Sequence, residues 1–269
     1  MLSRVDRRRI ERDVRHLASY PTRHTLGRYH YPASDWLAEQ LRIAGIRDVG
    51  FHLYSAANRF RLRNVVGIKP GKTARTTIVC GHFDSRMQDR NDSTSRAPGA
   101  DDNGSGVAAI LELARLLAPI ALTDTLRFVF FSGEEQNMWG SKAYASQVHA
   151  EKTDIHFVFN VDEIGYPPSD RALFVDRDEA HADDTGSAPL VARIQELARR
   201  VVHVPTRTDP AQDSDYVPFA DLGYVITGLY EAGKYPAYHT TGDTPDKVDY
   251  DYVTDMTRLA LATLLTECA

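Results

Sequence analysis

The chain has 269 residues, 42% of them apolar and 26% charged, which is enough to bury one substantial core over 1–269 and excludes a disordered or collagen-like chain. Its formal charge of −5 arises from 37 acids intermixed with 32 lysines and arginines, a pattern that argues against a nucleic-acid partner. The longest apolar run, 107–122, is broken by Glu112 and Arg115, and no signal-peptide core occurs in the first thirty residues, so nothing reads as a membrane span.

In chain order, "RVDRRRIERDVR" opens an amphipathic helix whose apolar stripe is Val5, Ile10, Val14 and Leu17. "SDWLAEQLRIAG" predicts a second helix, with Ser34 as its cap and Gly45 as its stop. "NVVGIKP" reads as an antiparallel strand. Short, nearly continuous apolar or β-branched runs follow at 76–81, 125–131, 155–162, 172–176 and 224–230, the composition of strands covered on both faces. Between them lie helical patterns at 107–117, 189–202 and 250–265, and "MWGSKAYASQV" also reads as helical. Residues 176–189 read as an exposed loop. Cys80 in a strand and Cys268 near the end give no basis for a disulfide framework. Strands alternating with helices predict a three-layer α/β/α sandwich around a mixed, mainly parallel central sheet.

In such sheets ligands gather beyond the carboxyl ends of the strands. Polar clusters follow four of the predicted strands: His82 and Asp84, Glu134 and Glu135, Asp162 and Glu163, and His239 and Asp243. A further pair, Asp101 and Asp102, sits in "PGADDNGSG" at the mouth of the 107–117 helix. Each cluster has a plain structural account as a helix cap, a turn acid or a core histidine. Together they place two imidazoles and a surplus of carboxylates at one sheet edge, where the acids would repel one another without cations. A dinuclear site for zinc, with cobalt or manganese as substitutes, removes that objection.

The segments "GHFDS", "PGADDNGSG", "FSGEEQNMWGSKAYA", "NVDEIGY", "SDYVPF" and "YPAYHTTGDTPDKVD", in this order over roughly 64–269, resemble the co-catalytic dizinc aminopeptidases, whose relatives include glutamate carboxypeptidases and glutaminyl cyclases. The resemblance implies two zinc ions, with Asp101 bridging them, His82 and Asp162 completing one site, and Glu135 and His239 the other. It further implies Glu134 as general base, Asp84 as the acid orienting His82, Tyr238 as a stabiliser of the oxyanion, and a cis peptide bond between Asp101 and Asp102. The implied reaction is removal of the N-terminal residue from peptides with a free amino terminus. A carboxypeptidase or dipeptidase on the same scaffold is the alternative, while a cyclase-like enzyme or a non-enzymatic receptor module fits the intact "GHFDS" and ligand set less well. The resemblance suggests a periplasmic or secreted setting, and the sequence leaves oligomeric state and the preferred N-terminal residue open. "QNMW" and residues 177–210 depart from any transferable specificity pattern.

Overall fold

The near-continuous apolar runs pair to form the middle of one sheet. The computed structural model describes residues 1–57, 59–178, 186–211 and 213–269. Its strands are β1 (Asp48–Ala56), β2 (Phe60–Lys69), β3 (Thr76–His82), β4 (Thr125–Phe131), β5 (Ile155–Asp162), β6 (Leu173–Arg177), β7 (Thr206–Pro210) and β8 (Ile226–Glu231). They lie in the order β1-β2-β4-β3-β5-β8-β6-β7. Strands β4, β3, β5 and β8 run parallel, whereas β2 is antiparallel to β4 and β6 is antiparallel to β8. The four parallel strands are those whose carboxyl ends carry the polar clusters.

Alternation along these strands divides the core into two layers. Val79, Phe128, Phe130 and Phe159 pack against α1 (Arg7–Leu17), α2 (His30–Ile43), α3 (Gly104–Leu117), α5 (Ser187–Val201) and α7 (Tyr250–Glu267). Ile78, Cys80, Val129 and Phe131 point the other way, onto α4 (Trp139–Ala150) and the short α6 (Val217–Ala220). The α/β/α sandwich is thus as expected. Helix α3 is buried almost throughout, and Glu112 within it is fully buried. Arg9 satisfies that carboxylate with hydrogen bonds of 2.6 and 2.9 Å, so the charge that interrupts the apolar run ties α1 to α3.

Several local expectations differ from the fold. Helix α2 begins at His30, so Ser34 is not its cap but donates back to the His30 and Tyr31 carbonyls from inside the helix. Pro32 fits there because the first turn needs no amide donor. Strands β1 and β7 escape the sequence pattern because they are the edges of the sheet, where polar residues are tolerated. Of the expected exposed loop, 179–185 lie outside the described residues, while Asp176, Asp178 and Ser187 on its flanks are buried. The two cysteines are free and buried. Among the described residues, no helix is long and apolar enough to cross a membrane.

Arg23, fully buried, fastens the segment after α1 to the loops around the site. Its guanidinium donates to the carbonyls of Phe83 (2.7 Å), Leu17 (3.1 Å), Pro98 (2.5 Å) and Gly99 (2.8 Å). Burial pushes its pKa down to about 10, which leaves it charged at neutral pH. Arg23→Met strands four buried carbonyls, and we expect it to lower unfolding free energy by at least about 3 kcal/mol in urea titration.

Candidate functional site

His82 and Asp162 are the last residues of the neighbouring parallel strands β3 and β5, so both side chains emerge at the same edge. His82 Nε2 lies 3.2 Å from Asp162 Oδ1 and 3.2 Å from Asp102 Oδ1. The other ring nitrogen, Nδ1, is 3.1 Å from the Asp84 carbonyl oxygen and 3.7 Å from its carboxylate. The Asp84 oxygens at Nδ1 hold a proton there, so when the ring is neutral it is the Nε2 lone pair that faces the acids. Asp84 is itself fixed by the Thr25 hydroxyl (2.9 Å) and the Glu135 amide (3.3 Å), both donating to Oδ2. Asp162 Oδ2 accepts from Ser214 Oγ at 2.6 Å, and Asn160 holds that serine in turn.

The carboxylate between the imidazoles is Asp102, not Asp101. Asp102 Oδ2 lies 3.0 Å from His239 Nε2, so its two oxygens face the two rings. The expected cis bond is displaced with it and lies between Asp102 and Asn103. The local cause is Asp243, whose carboxylate accepts the amides of Asp101 (2.8 Å) and Asp102 (3.1 Å) and so sets the rotation of this loop. Successive side chains then leave on opposite sides. Asp101 points at Gly165, where an added Cβ would stand 2.5 Å from Oδ1, and lies beside Glu231. Asn103 caps α3 through the Gly106 amide (3.0 Å) and also donates to the Val161 carbonyl (2.9 Å), joining α3 to the end of β5. Neither aspartate is therefore the cap. Gly106 permits this close join, since a Cβ there would lie 2.3 Å from the Val161 oxygen.

On the other side, His239 Nε2 lies 3.1 Å from Glu135 Oε2, which also accepts from Arg86 Nε at 2.5 Å. Glu134 and Glu135 follow β4 and a Ser132-Gly133 turn in which Gly133 has φ +76°. Glu134 lines the cavities on both sides of this centre. Tyr238 stacks on His239 with ring centroids 3.6 Å apart and lines the same two cavities. Three overlapping donor sets result, His82–Asp102–Asp162, Asp102–Glu135–His239 and His82–Glu134–Glu135, each with ligand atoms within 4.8 Å of one another. Asp102 alone joins the two sets that each pair an imidazole with a further carboxylate. Glu135 Oε1 is buried there without a hydrogen-bond partner, and the mixture of imidazole and carboxylate suits zinc.

Residues 64–264 match the family model described as Peptidase family M28. The chain belongs to that family. A probable zinc metalloprotease of Leptosphaeria maculans is 33% identical over 190 residues, covering 64% of this chain and 44% of that protein. A probable leucine aminopeptidase 1 of Trichophyton verrucosum is 27% identical over all of this chain and 76% of its own length. Among solved structures, the LapA aminopeptidase of Legionella pneumophila superposes with a TM-score of 0.85 at 20% identity, over 100% of this chain and 74% of that one. The family resemblance and fold class read from the motifs are both borne out.

Within this M28 chain the structure brings His82, Glu134, Glu135, Asp162, His239, Tyr238 and Asp84 together and leaves Asp101 outside the donor sets. The sequence reading assigned no task to Asp243, Arg86, Ser214 or Arg23. "SDYVPF" and "TGDTPD" contain two of them, but only the folded loops reveal what they hold.

The centre is short of positive charge. Burial opposes a charged His82, yet the carboxylates of Asp162, Asp102 and Asp84 outweigh it and raise the ring's pKa well above the ordinary value. His239 is likewise pushed up to about 9, against burial, by Asp102 and Glu135. Burial raises Glu134 well above the usual carboxyl range, with His82 opposing and Glu135 adding to the shift. Burial also lifts Asp101 to about 8, reinforced by Asp243.

These shifts share one sign. Each group binds its proton more tightly in the folded chain, so its stabilisation is full below its unfolded pKa and is lost as pH rises through the folded value. For His239 the window runs from about 6.5 to about 9, and Asp101 adds to the same decline up to about 8. The metal-stripped chain should therefore melt at progressively lower temperature between pH 6.5 and 9. Added zinc should reverse much of this fall, because metal binding needs the deprotonated rings. Calorimetric melting with and without zinc across this range checks it.

Proposed function

We propose that this M28 chain is a dizinc aminopeptidase that removes the N-terminal residue of peptides with a free amino terminus. The observation that carries this reading is the single carboxylate of Asp102 placed between two imidazole–carboxylate sets. His82 and Asp162 would hold one ion, His239 and Glu135 the other, and Asp102 both. The leucine aminopeptidase relative supports reading the amino end.

Bound zinc would supply Lewis acidity for the attacking water and the scissile carbonyl. Glu134 would take the proton of that water and deliver it to the leaving amine, a role supported by its place in the cavity wall within ligand distance of His82 and Glu135. Tyr238 would donate a hydrogen bond to the oxygen that becomes negative. Although the side chain is 45% exposed, desolvation of its hydroxyl and the carboxylates of Asp102 and Glu163 keep it above the usual pKa, a donor at neutral pH. Asp84, through His82 Nδ1, keeps the ring in the tautomer that leaves Nε2 free.

Metal content distinguishes the neighbouring aspartates. Asp102→Ala should lose most of its bound metal, whereas Asp101→Ala should keep far more, as read by elemental analysis after dialysis; the opposite ranking restores Asp101 as the bridge. Glu134→Gln should retain metal while turnover of a free-amino peptide falls roughly 10²–10⁴-fold. The same peptide acetylated at its amino terminus should be a poor substrate for the unaltered chain. Faster cleavage of the acetylated form would favour the carboxypeptidase alternative.

A further inference from the structure

A cavity of about 220 Å³ opens beside His82, Glu134 and Asp162 and continues to Asp176 on β6 and Asp209 on β7. Among the described residues, neither lysine nor arginine lines it. Asp176 and Asp209 are direct partners across the parallel β6–β7 ladder, which sets two carboxylates side by side. Asp176 is 4% exposed and has the Tyr216 hydroxyl as a donor at 2.9 Å, but no cation accompanies it among the described residues.

Glu163 provides a separate observation. It directly follows β5, is only 5% exposed, and lines both this cavity and the adjoining one beside Tyr230 and Tyr238. Its carboxylate makes no hydrogen bond or ion pair to any described residue, although Lys234 shares the adjoining cavity, so the acid of a nearly buried residue faces this cavity without a partner. Besides Asp102, Glu134 and Asp162 at the centre, the lining adds four further acids, Glu163, Asp176, Asp209 and Asp213.

We infer that this cavity receives a cationic side chain, that of lysine or arginine at the N-terminal position of the substrate. The inference rests on the aminopeptidase reading. The side chain next to the attacked carbonyl lies within reach of a cavity that shares Glu134 and Asp162 with the centre. The cavity on the opposite side has Arg86 and Arg90 among its acids Glu134, Glu135 and Asp213, so the carboxylates there already have cations beside them, unlike those of the first cavity.

The test uses the zinc-loaded full chain with aminoacyl-coumarin amides of lysine, arginine, leucine and methionine, together with calorimetric binding of lysinamide and leucinamide. Lysine and arginine amides should exceed leucine and methionine in kcat/KM by about tenfold or more, the scale of a charge-assisted hydrogen bond. Asp209→Asn, at a half-exposed edge position, should shrink the lysine-to-leucine ratio by a similar factor, and Glu163→Gln should do so independently. Melting curves establish that both variants fold. Cleavage that favours leucine, with a ratio unmoved by Asp209→Asn, overturns the inference and leaves the aminopeptidase reading intact. If no amide is cleaved but lysinamide binds better than leucinamide and Asp209→Asn removes the difference, the aminopeptidase reading fails and the cationic subsite stands. No cleavage and no difference in binding reject both.

Discussion

Two backbone amides, those of Asp101 and Asp102, are held by one carboxylate, that of Asp243, and the geometry of the M28 centre depends on this grip. Rotation of the loop decides which of two identical side chains turns toward the imidazoles. Arg23 holds the same loop from below at Pro98 and Gly99, and Asn103 locks its far end to Val161. The loop is thus fixed at its beginning, middle and end by groups from three distant stretches of chain. A displacement of one residue would exchange Asp102 for Asp101 and bring the wrong carboxylate to the centre.

The sheet supplies the other half of the arrangement. Because β3, β4, β5 and β8 run in one direction, the residues that end them open onto the same edge. Their interiors are apolar on both faces, so the rigid, dry strands end abruptly in acids and histidines. Such a group of carboxylates is held together at the cost of repulsion, and the structure answers with histidines drawn toward protonation and with Arg86 against Glu135. Protons and metal therefore compete for the same lone pairs, which couples metal occupancy, stability and pH in this protein.

The two sides of the centre are electrostatically unlike. Toward β6 and β7 the described lining is acidic with no lysine or arginine, whereas toward the 86–90 segment Arg86 and Arg90 stand among Glu134, Glu135 and Asp213. This asymmetry comes from edge strands and connecting loops, elements that can change charge without disturbing the core. The residues of the donor sets, by contrast, sit on the ends of central strands or in loops tied by buried polar groups, where a change of side chain also disturbs the fold.

The sequence by itself determined much about this protein. Two-sided apolar runs marked the central strands, because a strand covered on both faces leaves no polar positions, and the ordered motifs marked the family and nearly every side chain at the centre. It did not reveal the edge strands β1 and β7, whose half-exposed residues lack that signature. It also could not tell Asp101 from Asp102: they are adjacent and chemically identical, and only the hydrogen bonds from their amides to Asp243, more than 140 residues away, settle which one faces the histidines. Tertiary structure decided that point, as it decided that Asp176, Asp209 and Glu163 share one cavity, because both depend on the relative placement of segments far apart along the chain.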